Sequence, residues 1–247
     1  MLPYDDGHET RRVPIVTWAL IVLNVLVFLY ELQLSSRGLT RFIGTWGVVP
    51  ANLLTAISHP TATGAFAEFF TLISSQFIHA GWLHLIGNML FLMVFGDDIE
   101  ETFGSLGFLA FYLTSGVIAG LVQVYAVAPF FGAQLTPSVG ASGAIAGVLG
   151  AYLIRYPLRG IRVIIPIFIL PLPFVLPAFI MIGWWFVQQL FYGVLTLTPQ
   201  AVQTSGVAFW AHIGGFVAGV IIMVLWRLGQ YQPPTIQQPN ADNVWHV

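Results

Sequence analysis

The sequence has no cysteine, no lysine and very little charge of either sign. Without cysteine there can be no disulfide, no thiolate zinc site and no cysteine nucleophile. Charged residues make up only 7% of the 247 positions, while hydrophobic residues make up 57%. Soluble domains carry about 25% charged residues, so a soluble fold of this length could not cover itself with water-compatible side chains. A soluble enzyme, a disordered tail protein and a nucleic-acid binder are thereby excluded. Strands of alternating polarity, which a membrane β-barrel needs, are also missing, because runs such as Ile21 to Leu29 are apolar at almost every position. No internal repeat is visible, which counts against an inverted-repeat transporter. What remains is an all-α polytopic membrane protein whose solvent is the lipid bilayer.

The few charges mark out the spans. Residues 13–36 hold one charged residue, Glu31, and residues 69–96 hold none. Residues 102–154 and 163–226 are two longer stretches without Asp, Glu, Lys or Arg. A hydrocarbon core about 30 Å thick takes roughly 20 helical residues. The four stretches therefore accommodate one, one, two and two helices, a bundle of six transmembrane helices near 14–34, 82–96, 104–127, 141–156, 173–193 and 206–227. Pro129, Gly132 and Pro137 mark the turn in the first long stretch; Thr196, Thr198, Pro199 and the polar run 200–206 mark it in the second. Four prolines at 166, 171, 173 and 177 break the run after Val163, so the fifth helix is expected to begin near Pro173.

The predicted organisation is an N-terminal segment over 1–13, a membrane-embedded unit over 14–228 and a flexible Gln/Pro/Asn-rich tail over 229–247. Residues 35–68 read as a long outer loop resting in the interface. Six arginines (11, 12, 155, 159, 162 and 227) fall on the side of the termini, against Arg37 and Arg41 on the other. The positive-inside rule then puts both termini in the cytoplasm, and the first segment reads as a retained span rather than a signal peptide. A multi-pass protein of the cell membrane is expected.

Polar side chains at membrane depth are costly and point to function. They are Asn24, His79, His84, Asn88, Gln123, Ser142, Gln188, Gln189 and His212. Ser142 lies between Gly140 and Gly143, at the start of a helix of about fifteen residues, roughly 22 Å long. That helix is too short to span, so its N-terminus and Ser142 should lie below the outer surface. Free N–H groups there would stabilise an oxyanion; a serine in a small-residue packing seam is the alternative. His212, Gly215 and Gly219 form one helical stripe, and Gly143 and Gly147 form a matching pair. Facing glycine seams would bring His212 to Ser142, where a histidine can act as general base. A polar helix–helix contact or a metal ligand is the other reading of His212. His84 and Asn88, four apart on one face, could donate to one oxyanion or simply join helices. A metal held by His79, His84 and His212 would lack any carboxylate near them in sequence.

His84-x-x-x-Asn88 on the second span, Gly140-Ala141-Ser142-Gly143 opening the fourth, and Ala211-His212-x-x-Gly215-x-x-x-Gly219 on the sixth together resemble the rhomboid family of intramembrane serine proteases, over about residues 70–227. His79 and the stretch Glu100 to Gly104 also look like family positions. The resemblance implies a Ser142–His212 dyad without an acidic third member, and an oxyanion hole of His84, Asn88 and the Ser142 backbone N–H. It implies no metal and no cofactor. It implies transmembrane proteins as substrates, cut near the outer face, with the fifth span, including Trp184, Trp185 and Phe186, as a candidate substrate gate. A kinked helix with lipid-facing aromatics is an equal reading of those three residues. Two positions depart from the family pattern. Phe70-Thr71 stands where many members carry Trp-Arg, and Ala146 stands where members often place a ring that stacks on the histidine. His212 would then be less tightly held, or held by another ring such as Phe209 or Trp210. A client-binding relative without protease activity and a small-solute channel are the competing classes. The oligomeric state is not legible.

Overall fold

A computed structural model describes residues 1–230 except 9, 11, 132–135, 168–169 and 198–206. The expected tail thus lies outside the described residues beyond Gln230, as do Gly132, Thr198, Pro199 and the polar run 200–206. In chain order the elements are β1 (Leu2–Asp5), α1 (Ile15–Glu31), α2 (Ser36–Trp46), α3 (Pro50–Ser58), α4 (Ala65–Ser74), a 3-10 turn (Ser75–Phe77), α5 (Trp82–Phe103), α6 (Ser105–Phe131), α7 (Ser142–Arg155), β2 (Gly160–Ile167), β3 (Leu170–Pro177), α8 (Ala178–Leu195) and α9 (Phe209–Gly229). The fold is a helical membrane bundle. α5, α6, α8 and α9 are long and apolar enough to cross a membrane. α1 and α7 are shorter apolar helices of 17 and 14 residues.

α7 is the axis of the bundle. Its residues from Gly143 to Tyr152 are all buried, wedged between α6 and α9. Glycine makes this possible. A Cβ on Gly215 would run into the carbonyl of Gly143, and one on Gly219 into the carbonyl of Gly147. Gly143 also faces Ala119, and Gly147 faces Ser115, both of α6. With lipid as solvent, burying apolar surface brings helices together only weakly, so close backbone approach and dispersion hold the seam. Below it, the rings of Phe95, Phe108, Tyr112 and Tyr152 fill the core.

Several boundaries differ from the sequence expectation. α5 continues to Phe103 and takes in the acidic run Asp97 to Glu101, beyond the span expected near 82–96. The reason is that these carboxylates find partners. Glu100 caps the start of α1, accepting from the Val16 and Thr17 N–H groups at 3.0 and 2.8 Å and from the Thr17 hydroxyl at 2.9 Å; Ser105 Oγ donates to it at 2.6 Å. The free N–H groups of a helix N-terminus favour such an anion. The expected outer loop 35–68 is instead built largely of helices: α2, α3 and the start of α4. Ser35 caps α2 through the Gly38 N–H at 3.2 Å, and Pro50 starts α3 in a position where its missing N–H costs nothing.

The largest departure lies between α7 and α8. The fifth helix begins at Ala178 rather than near Pro173, and the chain before it folds back as an antiparallel hairpin. β2 pairs with β3 from Gly160↔Pro177 to Ile167↔Leu170, and β1 adds to the other edge of β2, giving the order β1-β2-β3. Ile161 and Val163 point one way into the core, while Arg162 between them is exposed and pairs with Asp5. This sheet lies at the Arg155 end of α7, opposite Ser142. Asp6 follows β1 and accepts from Tyr152 Oη at 2.7 Å and Arg159 Nη1 at 3.1 Å; the same Nη1 lies 2.6 Å from Asp98 of α5. Burial acts to raise the Asp6 carboxyl, but hydrogen bonds from Asp98, Tyr152, the His8 amide and Arg159 outweigh it, so Asp6 sits below its usual range.

Candidate active site

Ser142 is the first residue of α7, where the amides of a helix start have no intrahelical acceptor and no side chain caps them. The turn before it is held from two sides. Val48 and Ser138 exchange backbone hydrogen bonds at 3.0 and 2.8 Å, and the Gly140 N–H donates to Ser75 O at 2.9 Å. Gly140 has φ +127°, and a Cβ there would lie 2.7 Å from His84 Cε1 and 3.7 Å from Ser142 Oγ. Only glycine fits, in conformation and in space. The same spot therefore borders both the Ser142 hydroxyl and the His84 ring.

His212 lies in the first turn of α9, and its Nε2 stands 2.8 Å from Ser142 Oγ. The two meet across the Gly143–Gly215 crossing, as facing seams require. The other ring nitrogen, Nδ1, stands 2.8 Å from Gln189 Oε1 of α8. Gln189 Nε2 donates to the Trp185 carbonyl at 3.3 Å, which turns the amide oxygen toward His212. An amide oxygen only accepts, so Nδ1 carries the proton and Nε2 presents its lone pair to the serine hydroxyl.

Ala146 leaves the histidine without a ring from α7. Trp185 supplies one instead, 5.8 Å from His212 at 36°, and Phe209 stands edge-on at 6.4 Å. Trp210 turns away and donates Nε1–H to Gly193 O at 3.1 Å. Of the three candidate gate residues, Trp184 is exposed, whereas Trp185 and Phe186 pack inward on Phe216, Phe186 stacking at 4.2 Å.

Asn88 is buried, and its Nδ2 donates to His79 Nε2 at 3.0 Å. The His79 and His84 rings lie edge to face at 5.0 Å. The His79 backbone N–H donates to Glu31 at 3.2 Å, so the one charged residue of the first apolar segment ties α1 to this corner. His212 has both ring nitrogens engaged and turns no lone pair toward His79 and His84. At the departure from the family pattern, Phe70 packs edge-on against Trp46 at 6.3 Å, whereas Thr71 Oγ1 bonds within its own helix, donating to Glu68 O at 2.6 Å.

Residues 67–228 match the Rhomboid domain family. The chain belongs to the rhomboid family. Among relatives, it is 29% identical to rhomboid protease GlpG of Haemophilus influenzae, over 69% of this chain and 76% of that protein. It is 32% identical to the putative rhomboid protease YdcA of Bacillus subtilis, over 58% of this chain and 63% of that one. The chain also matches 57% of the length of Rhomboid-like protein 11, chloroplastic, of Arabidopsis thaliana at 28% identity, and 51% of Rhomboid protein 1, mitochondrial, of Saccharomyces cerevisiae at 27%. It thus spans little more than half the length of those two. The serine, the histidines at 79, 84 and 212, Asn88 and Gln189 all fall inside the matched rhomboid segment.

Two residues of this rhomboid site had no assigned role in the sequence. Gln189 reaches His212, and Gln123 of α6 accepts the Ala211 N–H at 3.1 Å, closing the start of α9. Their signal was polarity at membrane depth. Their partners lie on other spans, which residue spacing within one helix does not disclose.

Proposed function

We propose that this rhomboid is an intramembrane serine endopeptidase acting on transmembrane segments of other membrane proteins through a Ser142–His212 dyad. One observation carries the proposal: the 2.8 Å approach of His212 Nε2 to Ser142 Oγ, at an uncapped helix start. His212 takes the hydroxyl proton as Oγ attacks the scissile carbonyl. The tetrahedral oxyanion is met by the Ser142 N–H, by His84 and by Asn88, whose amide carries a second donor beside the one given to His79. Collapse breaks the C–N bond, and His212 returns the proton to the leaving amine. A water then enters, loses its proton to His212 and attacks the acyl carbonyl; as the Oγ–C bond breaks, His212 returns that proton to Ser142 Oγ and the acid is released.

The peptide bond of a membrane helix is already hydrogen-bonded within its own segment. Substrates with glycine, proline or other weak helix formers near the cut are therefore favoured. α8, with Trp184, Trp185 and Phe186, is the proposed side of entry. The excess of arginine beside the sheet supports a cell-membrane protein with both termini in the cytoplasm and Ser142 toward the outer half of the bilayer.

Labelling of the detergent-purified protein with a fluorescent fluorophosphonate tests the dyad. Wild type is expected to label, and Ser142→Ala and His212→Ala are expected not to. Cleavage of a transmembrane reporter in liposomes should be lost in the same two variants. Retained turnover in His212→Ala would overturn the assignment of the base.

A further inference from the structure

We infer that Gln189 is a positioning residue for the proposed reaction: its side-chain carbonyl, carried on α8, accepts the His212 Nδ1–H and aims Nε2 at Ser142. This inference rests on reading Ser142 and His212 as the dyad. A two-membered site has a weakness that chemistry makes plain. An imidazole with one nitrogen unbound can rotate about its side-chain bonds, and it can carry its proton on either nitrogen. Half of those states cannot accept a proton from serine. Serine hydrolases commonly remove this freedom with a buried carboxylate on Nδ1. Here a neutral amide holds that position, at 2.8 Å.

Three features make the contact a built one. Gln189 is buried, with 8% of its surface exposed. Its Nε2 donates one turn back to the Trp185 carbonyl, so the amide cannot flip without losing that bond. The Trp185 ring, on the same helix, lies against the His212 ring and covers the place that Ala146 leaves open. One helix thus sets the tautomer, the direction and the ring plane of the proposed base. A neutral acceptor also suits the membrane, since a carboxylate there would have to be desolvated.

The consequence concerns access. If substrate enters past α8, a helix that swings outward takes Gln189 and Trp185 with it. The base is then held for proton transfer only when α8 is docked. Entry and activation become opposite demands on one helix.

The test uses the full chain in liposomes with a transmembrane reporter whose cleavage requires Ser142. Gln189→Leu removes the acceptor, and Gln189→Glu keeps one whether ionised or protonated. Gln189→Leu is expected to lower kcat at least about tenfold, within the roughly 10²–10⁴-fold that general-base help is worth in all. Its KM should stay within about twofold of wild type, since no substrate contact is removed. Gln189→Glu should keep kcat within about threefold of wild type. As a readout independent of turnover, the ring ¹⁵N signals of His212 should report one Nδ1–H tautomer in wild type and a mixture in Gln189→Leu. Unchanged kcat in Gln189→Leu would sink the inference. An equal fall in both variants would reassign Gln189 to packing. Residual cleavage by Ser142→Ala would instead remove the dyad on which the inference stands.

Discussion

At the scale of single residues, Gly140 is as constrained as Ser142. Its φ of +127° is open to glycine alone among common residues, and the space where a Cβ would sit is occupied by the edge of His84. Gly140→Ala should therefore lose catalysis out of proportion to stability. We expect at least a hundredfold fall in reporter cleavage, with a folding cost of about 1–3 kcal/mol, measured by thermal unfolding in detergent. Wild-type turnover in that variant would show that the turn can relax without disturbing His84. The glycines around Ser142 and the seam below His212 were legible as local patterns, and so were the two proposed dyad residues. Gln189 was visible only as one polar residue among several. Nothing in its own helix says which other helix it will meet, and no adjacent charge marks it.

At the scale of elements, the glycine seam between α7 and α9 brings Ser142 and His212 to hydrogen-bonding distance. Gly219 lies two turns from His212, in contact with the Gly147 carbonyl, and takes no part in the proposed chemistry. Gly219→Leu should nevertheless abolish fluorophosphonate labelling and destabilise the bundle by about 3 kcal/mol or more, the upper range for overpacking a tight core. Unfolding with increasing denaturing detergent would measure the second effect. A variant that keeps its labelling and midpoint would show that the helices can part without separating the dyad. Element types were readable wherever charge-free stretches were long. The segment 160–177 misled because its prolines break a helix without excluding a strand, and because its residues are apolar on both faces. β2 and β3 pair with each other locally, whereas β1, the strand that completes the sheet, lies more than 150 residues away in the chain. The segment 35–68 hid its helices for a different reason: they are short, and glycine and proline separate them.

At the scale of the whole molecule, the two ends of the bundle differ in kind. The Ser142 end is built from neutral polar groups, with Glu31 at its margin. The other end is held by charge. Arg159 bridges Asp6 after β1 and Asp98 on α5, and its guanidinium lies 3.8 Å from the centre of the Tyr156 ring. Removing the arginine that bridges two buried carboxylates is more costly than losing the pair together. Arg159→Ala should destabilise the protein by about 3–5 kcal/mol. Asp98→Asn combined with Arg159→Ala should recover part of that loss, as a double-mutant comparison of unfolding midpoints would show. Equal effects in the single and double variants would mean that Arg159 acts through its ring contacts alone. This network was not legible in the sequence, because its members are scattered over positions 6, 98 and 159. The sheet beside it bears on biosynthesis. β1 leaves the ribosome before its partner β2, which is made more than 150 residues later, after α7. At roughly 5–20 residues per second, the β1 segment waits on its own side of the membrane for some ten to thirty seconds with its edge unpaired. Closure of the sheet is then a late event, open only to chains whose intervening helices have inserted in an arrangement that returns residue 160 to the side where residue 2 was left.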